Sequence, residues 1–335
     1  MRSFKILRAL LAILLCGGVL LLLDMENRKT GNKRAILKIA IFKIASRAVL
    51  DQSEKGIIDG LSERGIVDGV NCKIEKFCPE NDLPTANIIA LNILSGEFNM
   101  VITASTPALQ VMANANKQGK IMHVFCTVTD PFVSGVGITG PAPDQHPKHL
   151  VGIGTFQPVA KAFDVARKMK PDLKKVGTVW CPSETCSQAC LKLARKKCKE
   201  LGIELVEMSV DNTSQIMEAA MSLSARGVEA FWLGGDNVVE TGIDQLIKAA
   251  TKARIPLFTN NPYKIYGNTL FGVGAEYYTV GRIAGDMAGD ILNGKSSTTI
   301  GVQDVVPNNL KVNPGALKNL KDKWDVSTFQ ENLIK

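Results

Sequence analysis

Hydroxyl, amide and acidic residues gather at six short stretches, each directly after an apolar run: Ala45-Ser46-Arg47, Thr103-Ala104-Ser105-Thr106-Pro107, Thr127-Val128-Thr129-Asp130-Pro131, Cys181-Pro182-Ser183-Glu184-Thr185-Cys186-Ser187, Gly234-Gly235-Asp236-Asn237 and Thr259-Asn260-Asn261. The chemistry they suit is recognition. Ser105–Thr106 before Pro107, and Thr185–Ser187, read as helix N-termini. There, free N–H groups and the positive end of the helix dipole attract an anion such as a carboxylate. Asp236 and Asp130 can accept from an ammonium, and Arg47 can grip a carboxylate or a phosphate in a bidentate pair. Ser46, Thr129, Glu184, Asn237 and Asn260 add polar groups at the same loops. Each hydroxyl taken singly is also an ordinary cap, so the set forms a site only if the loops converge on one cleft.

Signals for catalysis are weak by comparison. Gly135-Val136-Gly137-Ile138-Thr139-Gly140 matches G-x-G-x-x-G, but Pro141 and Pro143 follow where the helix of a dinucleotide site would begin. H-E-x-x-H and G-x-S-x-G do not occur. His146 and His149 stand in a proline-rich loop and read as solvated. Cys181, Cys186, Cys190 and Cys198 are spaced C-x4-C-x3-C-x7-C, wider than the C-x2-C pairs of zinc sites. Cys190 and Cys198 share a helical face with Leu191, Ala194 and Leu201 and read as buried thiols. Cys72 and Cys78 lie at the two ends of one strand; at about 3.3 Å of rise per residue they are too far apart to bridge. No cofactor and no metal follow from these patterns.

The loops need elements to hold them. From Ile36 the chain alternates short apolar runs with amphipathic helices: strand 36–42, helix 49–64, strand 71–77, helix 83–94, strand 100–103, helix 107–116, strand 121–126 and strand 151–154. The rhythm then restarts with helix 158–169, strand 176–180, helix 187–201, strand 203–208, helix 214–225, strand 230–233, helix 238–253 and strand 256–258. A strand at 270–273, a helix over 278–292 and a strand-like stretch at 299–306 close the chain. This succession predicts an α/β protein of two doubly wound parallel-sheet lobes. In such sheets ligands bind beyond the carboxyl ends of the strands, which is where the polar loops fall.

Residues 1–35 differ from the rest. Arg2, Lys5 and Arg8 precede an apolar run from Ala9 to Leu23, the pattern of an export signal, yet no A-x-A-like cleavage site follows, and Leu14 and Leu15 precede Cys16 where a lipidation motif would have small residues. The run is short of the roughly 20 residues that span a bilayer. The segment is therefore read as a signal or a membrane anchor, with the remainder on the outer face of the cytoplasmic membrane. It holds seven Lys/Arg and two Asp/Glu, a net +5 of the chain's +8, which leaves +3 for residues 36–335. No basic stripe points to nucleic acid.

Ser105-Thr106-Pro107-Ala108, Phe125-Cys126-Thr127-Val128-Thr129-Asp130-Pro131, Asp236-Asn237 and Gly274-Ala275-Glu276-Tyr277-Tyr278 with Gly281-Arg282 resemble, in order and spacing over about residues 36–320, ABC-transporter substrate-binding proteins typified by tryptophan/tyrosine receptors. The resemblance implies a type I periplasmic-binding fold, in which three crossovers join the lobes and the ligand sits in the hinge cleft. It implies an N lobe of 36–155 plus 272–297 and a C lobe of 156–271 plus 298–335. It also implies a non-enzymatic receptor that takes a small carboxylate-bearing ligand, an amino acid or relative, and presents its closed form to ABC permease subunits with an ATPase behind them. Two departures fall on the cleft loops. Ser46-Arg47-Ala48 stands where the family has an acidic-His-Pro motif, and Cys181 and Cys186 replace the asparagines of Asn-Pro-x-Glu-x-Asn-Ser. The alternatives are an anchored sensory domain that signals without transport and an enzyme on the same fold. A sugar-repressor-like regulator would need a basic DNA-binding helix pair where this chain has its apolar segment.

Overall fold

The computed structural model describes Gly17, Gly18 and residues 36–334. Apart from Gly17 and Gly18, the segment read as a signal or anchor lies outside the described residues. Among the described residues no helix is long and apolar enough to cross a membrane.

The first run of elements is β1 (Leu37–Lys43), α1 (Ala48–Glu63), β2 (Cys72–Phe77), α2 (Leu83–Ser95), β3 (Met100–Ala104), α3 (Thr106–Ala115), β4 (Met122–Val128) and β5 (Leu150–Gly154). The second is α4 (Val159–Met169), β6 (Lys175–Trp180), α5 (Thr185–Leu201), β7 (Glu204–Ser209), α6 (Ile216–Ala225), β8 (Ala230–Leu233), α7 (Asn237–Thr241), α8 (Ile243–Ala253), β9 (Leu257–Thr259) and β10 (Thr269–Ala275). The chain ends with α9 (Tyr277–Leu292), β11 (Gln303–Asp304), β12 (Asn308–Val312) and short 3-10 turns. Two six-stranded sheets result, ordered β11-β5-β4-β3-β1-β2 and β12-β10-β9-β8-β6-β7. β3 and β10 are buried along their whole length, as expected of strands covered on both faces.

Each sheet reverses its winding once. After β1 the chain moves outward to β2, then returns past β1 to lay down β3. β6, β7 and β8 repeat this in the second sheet. The crevice at such a reversal is open because the loops on its two sides depart in opposite directions. The loops after β1 and β3 flank it in one lobe, and those after β6 and β8 flank it in the other.

The chain passes between the sheets three times, after β5, after β10 and between β11 and β12. This corrects the expected lobe boundaries. β10 lies wholly in the C-lobe sheet, paired with β9 and antiparallel to β12, so 272–275 does not belong to the N lobe. β11 pairs with β5 through Gln303 and Ile153, so 303–304 belongs to the N lobe. The second crossing falls at Glu276, whose carboxylate caps α9 by accepting from Thr279 N. α9 then packs on α1 of the N lobe. Gly56 and Gly60 on one helix face Gly281 and Gly285 on the other, and a Cβ at Gly281 would run into the Ser53 carbonyl.

The expected single helix over 238–253 is two helices. Gly242 leaves helical geometry at φ −97° and ψ 19°, and a Cβ there would meet the Ile216 side chain at 2.5 Å. β12 was not read from the sequence, because its polar start hides the alternation. Much of the expected strand at 299–306 is a 3-10 turn and loop. In the C-lobe core, Phe163 packs on Trp232 and Phe258 at 5.1 and 5.4 Å between ring centroids. Cys190 and Cys198 are buried there as free thiols, as expected, and Cys72 and Cys78 are also unbridged. His146 is buried rather than solvated, its Nε2 2.8 Å from the Ile300 carbonyl oxygen.

Candidate functional site

The loops at the two reversals face each other across a cavity of about 20 Å3, room for roughly one water molecule. Arg47, Ser105, Thr106, Thr127, Thr129 and Thr155 line its N-lobe side, and Cys186, Gly235, Asp236, Asn237 and Glu240 its C-lobe side, with Gln157 and Tyr277 at the crossovers. A larger groove of about 290 Å3 opens nearby between Ile44, Leu83, Pro107 and Val111 of one lobe and Glu184, Asp211 and Val238 of the other.

The lobes are closed on each other. Arg47 Nη1 donates to Glu240 Oε2 at 2.7 Å, with both side chains almost fully buried, and Arg47 Nη2 donates to Asn237 Oδ1. Asn81 Nδ2 donates to Thr241 Oγ1 at 3.0 Å, and Gln110 Nε2 to Thr185 Oγ1 at 3.1 Å.

The N-lobe wall is built from hydroxyls held by backbone. Ser105 Oγ caps α3 by accepting from Ala108 N at 3.3 Å, and Thr106 Oγ1 accepts from Thr129 N at 3.3 Å. Two residues there have left-handed backbone, Ser105 at φ 113° and Thr127 at φ 56°. A β-branched residue in that region is a genuine outlier, and such strain gathers at ligand sites. Ser53 Oγ and Thr127 Oγ1, 2.7 Å apart, help hold the turn. The terminus of α3 has fewer free donors than expected. Pro107 has no N–H, Ala108 N is capped and Leu109 N is bonded to the Ser105 carbonyl, which leaves the Thr106 N–H.

The C-lobe wall is acidic. Asp236 Oδ2 accepts from Cys181 N at 2.6 Å and Ser187 Oγ at 2.7 Å, while Oδ1 accepts from Val239 N at 2.8 Å. Glu184 Oε2 accepts from Asn237 N at 2.6 Å and Asn237 Nδ2 at 2.9 Å. Glu240 Oε2 also accepts from Asn261 Nδ2 at 3.2 Å. Burial pushes all three acids upward. Glu184 reaches about 7, helped by the charge of Asp236. Asp236 stays raised although three donors pull it down, and Glu240 stays raised although Arg47 opposes the shift. Glu184, at the N-cap of α5, and Asp236 bound to Ser187 already face that helix terminus. The expected anion position at Thr185–Ser187 is thus occupied by the protein's own carboxylates.

Of the residues singled out in the sequence, Arg47, Ser105, Thr106, Thr129, Asp236 and Asn237 meet at the cavity. The others do not. Ser46 Oγ donates to Glu80 at 2.5 Å on the surface, and Asp130 caps its own turn through Phe132 N. Asn260 is spent in the core between Trp232 Nε1 and the Val273 carbonyl. Glu184 faces the neighbouring groove, Thr185 meets Gln110, and Ser187 buttresses Asp236. Sequence reading missed Thr155, Gln157 and Glu240. Glu240 stands one turn after Asp236, a spacing of four that puts both acids on one side of α7. Gln157, which donates to Tyr277 Oη at 3.2 Å, gives no sequence signal, because two crossovers bring the pair together.

Two α/β lobes closed over a polar cavity at their winding reversals define a two-lobed solute-binding protein of the type I periplasmic-binding fold. The chain belongs to the ABC transporter substrate binding protein family, whose model matches residues 38–334. It is 27% identical over 295 residues, 88% of this chain and 84% of the relative, to the tyrosine-binding protein of Clostridioides difficile (strain R20291). A conserved domain protein of Vibrio cholerae O1 biovar eltor superposes with a TM-score of 0.83 at 23% identity, covering 89% of this chain and 98% of that one. The ABC domain in complex with L-Trp from Streptococcus pneumonia superposes with a TM-score of 0.81 at 19% identity, covering 90% and 100%.

Proposed function

We propose that this protein is the extracytoplasmic solute receptor of an ABC importer, that it is not an enzyme, and that it closes on an amino acid or a close relative. The observation that carries the ligand class is the opposed chemistry of the two walls around one cavity. Asp236 and Glu240 supply negative charge on the C-lobe side, where an ammonium gains most from a desolvated partner. Ser105, Thr129, Thr155, the Thr106 N–H and Arg47 supply donors on the N-lobe side, where a carboxylate is accommodated. A zwitterion with both groups on one carbon meets both walls at once and favours the closed state by its differential affinity. The tyrosine-binding relative and the L-Trp complex agree with this class. The closed form is then what the permease receives, and residues 1–35 direct the chain out of the cytoplasm and anchor it there if they are retained.

Thermal-shift and calorimetric titration with L-amino acids, their decarboxylated amines and their deaminated acids tests the reading. Removing either charged group is expected to weaken binding about ten-fold or more. A neutral nucleoside that raises the melting midpoint while millimolar amino acids leave it unmoved refutes the ligand class.

A further inference from the structure

Arg47 has an unusual position for a residue of a ligand cleft. It belongs to the N lobe, yet its guanidinium is spent on C-lobe acceptors, Glu240 Oε2 at 2.7 Å and Asn237 Oδ1. Those are the contacts a bound cation would make. Among the described residues that line the cavity it is the one cationic side chain. Its burial is incomplete in one respect: Nε is buried without a hydrogen-bond partner among the described residues. So is Thr155 Oγ1, which lines the same cavity. A buried guanidinium N–H and a buried hydroxyl left unmade are costly, and such groups are normally satisfied by protein, water or ligand.

We propose that Arg47 determines the selectivity of the cleft. It acts as a resident cation on Glu240 and Asn237, and so excludes ligands that carry a second ammonium. Nε and Thr155 Oγ1 are left to receive the anionic end of the ligand. The proposal rests on the amino-acid reading above and deepens it. Selectivity is a difference of affinities and is often built from a repulsive element. Here the repulsion is between like charges: a ligand side chain ending in an ammonium must share Glu240 with the Arg47 guanidinium. Arg47 also spans the cleft, so it works only when the lobes are closed, the state in which discrimination counts.

The test is calorimetric titration of the full chain and its Arg47→Gln and Arg47→Lys variants with L-lysine, 1,4-diaminobutane and a panel of neutral L-amino acids. For Arg47→Gln we expect about a ten-fold gain for L-lysine and about a ten-fold loss for the neutral ligands. Arg47→Lys should keep the parental ranking. An Arg47→Gln protein with the parental ranking overturns the proposal. If no neutral amino acid binds the parent, the amino-acid reading fails on its own. The role of Arg47 is then decided by whether Arg47→Gln gains binding of 1,4-diaminobutane, and no gain overturns it. If Arg47→Gln does not fold by circular dichroism, Glu240→Gln decides. It frees the guanidinium, so L-glutamate should bind about ten-fold tighter than to the parent, and an unchanged L-glutamate affinity refutes the idea.

Discussion

Both walls of the cleft stand on the same topological feature, yet the N-lobe wall consists of hydroxyls bonded to backbone while the C-lobe wall consists of buried carboxylates bonded to N–H groups. A hydroxyl such as Ser105 Oγ, with one 3.3 Å bond to Ala108 N, is cheap to bury and contributes little when removed. A carboxylate such as Asp236, with three donors between 2.6 and 2.8 Å, organises the loops after β6 and β8 together. The C-lobe wall is therefore a framework as well as the proposed binding surface, whereas the N-lobe wall stores backbone strain at Ser105 and Thr127. Equal topology does not imply equal tolerance to change.

Asp236→Ala is the hardest test of that contrast. It strands Cys181 N, Ser187 Oγ and Val239 N, and is expected to destabilise the protein by about 3–5 kcal/mol in urea titration. A loss below about 1 kcal/mol would show that the carboxylate is not a framework group. Because the fold depends on it, weaker ligand binding by this variant would say nothing about direct contact.

Glu184→Gln should act in the opposite direction. The folded-state value of Glu184, about 7, lies above its ordinary 4.5, so its contribution is fully present below pH 4.5 and is lost as pH rises through 7. The isosteric amide removes the buried charge. The variant should gain roughly 1–3 kcal/mol on the parent at pH 8 and lose that advantage at pH 4. Equal effects at the two pH values would contradict a raised, buried acid.

In the N lobe, Ser105→Ala loses the α3 cap and keeps the strained φ, and is expected to cost about 1 kcal/mol by chemical denaturation. Ser105→Gly loses the same cap but is at ease at φ 113°, so its cost should be only a few tenths of a kcal/mol. If Gly proves as costly as Ala, the strain assigned to this position is wrong.

The two walls also differ in how far they were legible. In the N lobe, Ser105-Thr106-Pro107 announces a capped helix start from neighbouring residues alone, and the structure places it there. In the C lobe, Thr185–Ser187 reads equally well as a free helix terminus. It becomes an acid-lined one only because β8 returns beside β6 and brings Asp236 and Asn237 against Ser187 and Glu184. Asn260 and Asp130 show the same limit, since a polar residue after a strand can turn inward to the core or cap its own turn.

The alternation of apolar runs with amphipathic helices, fixed by local periodicity, determined the α/β class and two similar halves. Apolar spacing on α5 likewise determined that Cys190 and Cys198 are buried. Only the tertiary structure decided the lobe boundaries, because β10, β11 and β12 each join whichever sheet edge is free when the chain arrives. It alone decided that Arg47 meets Glu240. That pair is separated by 193 residues, and no local pattern encodes a contact made only when two independently wound lobes close on each other.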